Sequence, residues 1–226
     1  MPDLTELKAA IETGNRGLAT RLTQEALAES TEPGAILAVM MAAMDTVGAR
    51  FQCHAIYVPE MLVSARAMKD AMAILEPVLI SSGLEPESIA IVGTIEGDLH
   101  DIGKNLVAMM WKGANIAVVD LGTNVAPGRF VAAAREHGAS LVGVSTLLTT
   151  TMVGMRDVVA AIRSSGLDDI SVVVGGAPVT AEFAASIGAD GYARDAAAAV
   201  DVARRLLATT SAGQGGQPTG TSAESP

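Results

Sequence analysis

Residues 96 to 105 read Glu-Gly-Asp-Leu-His-Asp-Ile-Gly-Lys-Asn, and the pair Asp98 and His100 is the chemistry-bearing element of that run. A carboxylate that holds one nitrogen of an imidazole leaves the other as a metal ligand of defined orientation. The chain has only three histidines, so one in this setting calls for an explanation. A phosphate loop is the first alternative, but it needs glycine five places before Gly103 and a Ser or Thr after Lys104. Asp98 and Asn105 stand there, and Glu96, Asp98 and Asp101 would repel a phosphate. A zinc site needs three or four ligands at compatible spacing, and no further Cys or His lies close in sequence. A surface loop with an incidental histidine remains open on these residues alone. Two more segments carry unusual composition. Ser145-Thr146-Leu147-Leu148-Thr149-Thr150-Thr151 is rich in hydroxyls, which by itself suits a helix N-terminus. Gly175-Gly176 allows a turn or a close backbone approach to a ligand.

These segments follow short apolar runs, and the runs explain how they could meet. Beyond about Glu87 the sequence predicts strands at Ile89–Val92, Ile116–Val119, Leu141–Val144, Val172–Val174 and Gly191–Ala193. Helices are predicted near 103–113, 127–138, 152–165, 180–188 and 196–208. Strict alternation implies a parallel sheet covered on both faces. Its expected strand order is the flavodoxin-like 2-1-3-4-5, with ligands bound at the switch between the first and third strands. His100 follows the first strand, Ser145 ends the third and Gly175-Gly176 ends the fourth, so all three would rim one crevice. The residues before about 85 read as four helices with short connections, a small bundle. Asp3 with Glu6, Asn15, Thr31-Glu32-Pro33 and Val58-Pro59-Glu60 mark the starts; the fourth is expected to run to about Ile80, with Pro77 distorting or ending it.

Composition bounds the reading further. In 226 residues, half hydrophobic and only 3% aromatic, an α/β protein with buried parallel strands is favoured over a β-sandwich. A net charge of −10 argues against nucleic acid as a main partner. No apolar run reaches the ~18 residues of a membrane span, and the first residues lack a signal-peptide pattern. Cys53 is the sole cysteine, which fits a reducing cytoplasmic location. Residues 211–226 have almost nothing to bury and are expected to form a disordered tail.

Asp98-x-His100-x-x-Gly103, Ser145-x-Leu147 and Gly175-Gly176, in that order, resemble the three-part signature of cobalamin-binding domains that hold the cofactor base-off with histidine on cobalt. The resemblance is closest to cobalamin-dependent methionine synthase and to the small corrinoid proteins of methyltransferase systems. It covers nearly the whole chain except the tail. Val58-Pro59-Glu60-Met61-Leu62 and Ser64-Ala65-Arg66-Ala67-Met68-Lys69 look like the helical cap of these proteins. It implies a four-helix cap over 1–86, a Rossmann-like cobalamin-binding domain over 87–210, and the tail.

The resemblance also implies roles. His100 would be the lower ligand to cobalt, Asp98 would hold its second nitrogen, and Thr151 would supply the relay hydroxyl where methionine synthase has serine. Asp101, Ile102, Gly103, Ser145, Leu147, Thr149, Gly175 and Gly176 would contact the cofactor, several of them lining a slot for its displaced nucleotide tail. Tyr57, Met61, Leu62 and Ala65 would lie over the upper cobalt face, although the cap methionines suit a plain helical core equally well. Cys53 and His54 depart from known cap sequences and receive no role.

The implied function is that of a methyl carrier. It would accept a methyl group on Co(I) from a substrate-specific methyltransferase and pass it, as methyl-Co(III), to a second methyltransferase with tetrahydrofolate or coenzyme M as acceptor. A reductive activase would be a further partner, and cob(I)alamin and methylcobalamin the cofactor states. The donor stays open among methanol, a methylamine, a betaine and an aryl methyl ether. A cobalamin-binding sensor without turnover is the alternative. A mutase small subunit fits less well, because those subunits lack the helical cap.

Overall fold

The computed structural model describes residues 4–84, 86 and 88–214, with backbone alone for 210–214. Asp3 of the expected first capping box and residues 215–226 of the expected tail lie outside the described residues.

Four helices come first: α1 (Leu4–Glu12), α2 (Arg16–Ala28), α3 (Pro33–Gln52) and α4 (Val58–Ser81). Side chains cap three of them. The Asn15 side chain accepts from the Leu18 N–H at 3.1 Å. The Glu32 carboxylate accepts from the Gly34 and Ala35 N–H groups at 3.0 and 2.7 Å, and Glu60 accepts from the Tyr57 N–H at 3.1 Å. Each removes a donor that the first helical turn leaves unpaired. α4 runs through Pro77 to Ser81, close to the end expected near Ile80, so of the two effects expected of Pro77 an end of the helix does not occur. Proline deprives the Ala73 carbonyl of its helical partner. Both residues lie on the exposed face, where solvent satisfies that carbonyl. α3 is long and apolar enough to cross a membrane by length and composition, although polar residues interrupt its apolar run. Its Ile36, Met40, Ala43 and Met44 are buried in the bundle core shared with α1 and α4.

The remaining residues alternate: β1 (Ser88–Thr94), α5 (Ile102–Gly113), β2 (Ile116–Asp120), α6 (Pro127–His137), β3 (Leu141–Ser145), α7 (Thr149–Met152), α8 (Gly154–Arg163), β4 (Ser171–Gly175), α9 (Ala181–Ser186), β5 (Gly191–Ala193) and α10 (Ala196–Gln214). The five strands are all parallel in the order β2-β1-β3-β4-β5, which is the expected order. The single helix expected over 152–165 is split, with Val153 between α7 and α8. α10 extends to Gln214, so helix replaces the expected tail at its first four positions. Once a helix is nucleated, each added residue gains one hydrogen bond for one residue fixed, a near balance that lets a helix run past its packed face.

Alternation along the strands separates two cores. Ile91, Val142, Val144, Val172 and Val174 pack with α6, α8 and α9 on one face. Ala90, Val92, Leu141 and Val173 pack on the other beneath α5 and α10, and that cluster continues without a break into the core of α1–α4. Register sets the strand ends in rows. Thr94, Ser145, Gly175 and Ala193 form one row, and Val92, Gly143, Val173 and Gly191 the row two residues deeper.

Candidate cobalamin site

The chain leaves β1 through Ile95, which bridges to Val125, and turns at Gly97 with φ +83° into Asp98. Asn124 fastens this turn from behind: its side chain accepts from the Gly97 N–H at 2.8 Å, and its own N–H donates to the Asp98 carbonyl at 3.0 Å. The Thr94 hydroxyl donates to the His100 carbonyl at 2.8 Å. Three flanking residues therefore hold the loop in place without touching either functional side chain.

Asp98 is completely buried, and its carboxylate is held by the His100 ring and by backbone N–H and hydroxyl donors. Oδ1 lies 2.7 Å from His100 Nδ1 and accepts from the His100 N–H at 3.0 Å. Oδ2 accepts from the Leu147 N–H at 2.6 Å and from the Thr146 hydroxyl at 2.8 Å. Burial alone would raise this carboxyl. Donation from Leu147, His100 and Thr146 outweighs it and holds the group well below the usual carboxylate range. The carboxylate is thus ionised, and it favours the imidazole tautomer with hydrogen on Nδ1. His100 is half exposed, so Nε2 is left as an accessible lone pair on an oriented ring.

The hydroxyl on Asp98 is chiefly that of Thr146. Thr151, the residue expected there, lies 3.4 Å from Oδ2 and 2.7 Å from Thr146 Oγ1. Thr146 gives its proton to the carboxylate, so Thr151 donates to Thr146 or to the Leu148 carbonyl at 3.1 Å. Sequence reasoning placed hydroxyls after β3 but missed which one faces the acid. Strand parity was the available signal, because Ser145 and its neighbour Thr146 point to opposite faces.

Beside this loop a cavity of about 290 Å³ opens between the sheet and α5 and α10. Ser145, Gly175, Gly176 and Gly103 line it, together with Met61 and Phe51 from the bundle. A Cβ on Gly103 would meet nothing within 4 Å. The glycine pair has a packing reason as well. A Cβ on Gly175 would meet the Ala193 carbonyl at 2.7 Å, and one on Gly176, at φ +131°, would fall on the Thr146 carbonyl. Lys104 also lines the cavity. It is buried, with Nζ 2.6–2.7 Å from both Asp120 carboxylate oxygens and 2.6 Å from Asn105 Oδ1.

The other expected contacts fall outside the cavity lining. Asp101 is the N-cap position of α5 and accepts from the Asn105 amide at 3.0 Å. Thr149 opens α7 on the surface. Leu99 and Ile102, each 73% exposed, stand with Leu147 and Leu148 as an apolar collar around the His100 loop. Tyr57 is exposed at the start of α4, Leu62 is half-buried and Ala65 is buried away from the cavity. Among the described residues no group of three or more His, Cys, Asp or Glu side chains could hold a bare metal ion. A single oriented histidine next to an apolar slot instead suits a metal that brings its other ligands with it.

Comparison with known proteins agrees. Models of the B12 binding domain match residues 88–201 and 4–76. A corrinoid protein of Desulfitobacterium hafniense (strain Y51) is 37% identical over 209 residues, covering 90% of this chain and 97% of the relative. The dimethylamine corrinoid protein of Methanosarcina barkeri is also 37% identical over 209 residues, covering 91% and 97%. The crystal structure of a cobalamin-binding protein from D. hafniense DCB-2 superposes with a TM-score of 0.76 at 27% identity, covering 91% of this chain and 99% of that one. The cofactor is therefore cobalamin, and the chain belongs to the family of B12-binding corrinoid proteins of methyltransferase systems.

Proposed function

We propose that this chain is a methyl carrier that shuttles between two methyltransferases, with His100 as the lower cobalt ligand. When bound, the cofactor supplies a cobalt centre that takes up a methyl group and yields it to a nucleophile. The observation that carries the reading is the 2.7 Å contact between His100 Nδ1 and a buried, ionised Asp98, which leaves Nε2 available beside an apolar slot. Asp98 orients the ring through its Nδ1, while Thr146, with Thr151 behind it, steadies the carboxylate. Ser145, Gly175 and Gly176 leave room for the nucleotide tail, and Gly103 keeps the start of α5 open to it. Asp101, Ile102, Leu147 and Thr149 are rim contacts in this reading.

Met61, with Tyr57, Leu62 and Ala65 on the same helix, would belong to a cap that excludes water from the upper face. The boundary between cap and cobalamin domain would fall near residue 86. The name of the M. barkeri relative supports a methylated amine as the donor class. Tetrahydrofolate or coenzyme M would be the acceptor, and a reductive activase would restore oxidised cofactor.

The test is the visible spectrum of cobalamin-reconstituted protein beside His100→Ala, followed by methyl transfer from a methylamine methyltransferase. Wild type should show a histidine-ligated, base-off cofactor, and the variant should lose that ligation. An unchanged variant spectrum would remove His100 from the site.

A further inference from the structure

The slot is chemically graded from mouth to floor. Its mouth is the row Ser145, Gly175 and Ala193, and its floor is the row Val92, Gly143 and Val173 two residues deeper on the same sheet face. Trp111 closes the floor. Its indole lies so close over Gly143 that a Cβ there would meet the ring at 2.8 Å. The indole N–H is already donated to the Ala199 carbonyl at 2.9 Å. The floor strands use their backbone groups in the sheet. Lys104 is held by Asp120 and Asn105, and the Asp195 carboxylate accepts from the Ala198 N–H and the Arg194 side chain. Among the described lining residues, Ser145 is then the uncharged side chain left to bond a ligand, and it stands at the mouth.

We propose that this slot selects among cobamides by the base that ends the nucleotide tail, accepting a benzimidazole and discriminating against a purine. The proposal rests on the carrier reading, in which His100 replaces that base on cobalt. A benzimidazole released from cobalt has one ring nitrogen to satisfy, and the rest of its edge is hydrocarbon. One hydroxyl at the mouth and an apolar floor match that pattern. A purine such as adenine adds an exocyclic amine and further ring nitrogens. Against Val92, Val173 and Trp111 these would be buried without partners, and each unmade hydrogen bond weakens binding by roughly tenfold or more.

The experiment is equilibrium binding to the apoprotein of three corrinoids: cobalamin, its adenine-bearing analogue and cobinamide, which lacks the nucleotide. Trp111 is the only tryptophan in the chain, so its fluorescence reports binding without any activity assay. Cobalamin should bind at least about tenfold more tightly than the adenine analogue. Val173→Thr, near-isosteric and adding one hydroxyl to the floor, should narrow that ratio by about threefold or more. Equal affinities for the two bases would overturn the proposal, as would tighter binding of the adenine form. Equal binding of cobinamide and cobalamin would place the tail outside the slot and overturn it too. Failure of all three corrinoids to bind would refute the carrier reading itself, and the base selectivity with it.

Discussion

Thr146→Ala tests the site most directly, because it separates two neighbouring hydroxyls. The substitution removes a 2.8 Å bond to a fully buried carboxylate. Hydrogen bonds to charged groups contribute about 1.5–3 kcal/mol net. The Leu147 N–H remains on the same oxygen at 2.6 Å, and the Thr151 hydroxyl at 3.4 Å can close in once Thr146 Oγ1 is gone. A loss of about 2 kcal/mol follows. Thr151→Ala removes one donated bond, to Thr146 or to the Leu148 carbonyl, and a long 3.4 Å contact with Asp98 Oδ2, so it should cost under about 1 kcal/mol. Because Thr151 is the reserve donor, the double variant should exceed the sum of the singles by about 0.5–1 kcal/mol. Urea unfolding of the apoproteins, with unchanged slopes, measures all three values. A Thr151→Ala loss equal to or above that of Thr146→Ala, or strict additivity, would refute the assignment of Thr146 as the carboxylate's hydroxyl partner.

Other expectations follow from the same geometry. The depressed Asp98 carboxyl stabilises the fold above its ordinary value of 3.8, and that contribution is lost as pH falls further towards its folded value. Asp98→Asn should therefore flatten the stability profile below about pH 4, measured by thermal unfolding against pH. Lys104→Met keeps the buried stem but takes the cation from Asp120, whose carboxylate then retains the Gly122 N–H at 2.8 Å. That carboxylate is partly solvated, so the loss should be about 1–2 kcal/mol, and a value near zero in denaturant titration would show the pair to be idle. Gly176→Ala puts a Cβ onto the Thr146 carbonyl at a backbone angle that L residues avoid, and should yield little folded protein by circular dichroism.

The sequence displays the sheet because β-branched runs and amphipathic helices alternate in it, and right-handed crossovers narrow five parallel strands to a few orders, of which 2-1-3-4-5 is a common one. The loop chemistry is legible in Asp98 and His100 since their separation is local. Thr146 is not, because its partner lies 48 residues away and depends on how the β1 and β3 ends approach each other. Asn124 and Thr94 escape for the same reason: they hold the loop through its backbone, and a backbone contact leaves no mark in residue type. Pro77 does not end its helix, because it and Ala73 lie at exposed positions, where the freed carbonyl is open to solvent. The glycines after β4 do register, but their composition hides that two carbonyls, as well as a ligand, require them.

The apolar collar of Leu99, Ile102, Leu147 and Leu148 has a consequence for the life of the protein in a cell. Exposed hydrocarbon of this kind is what chaperones and proteases recognise, and what drives newly made chains to associate. A corrin ring seated on His100 would cover it and would stabilise the folded state by mass action. Chains made without cofactor would then be degraded or associate faster than chains made with it. In the carrier reading, the abundance of the protein would follow the supply of cobalamin without a dedicated regulator, through the Leu99, Ile102, Leu147 and Leu148 side chains near His100.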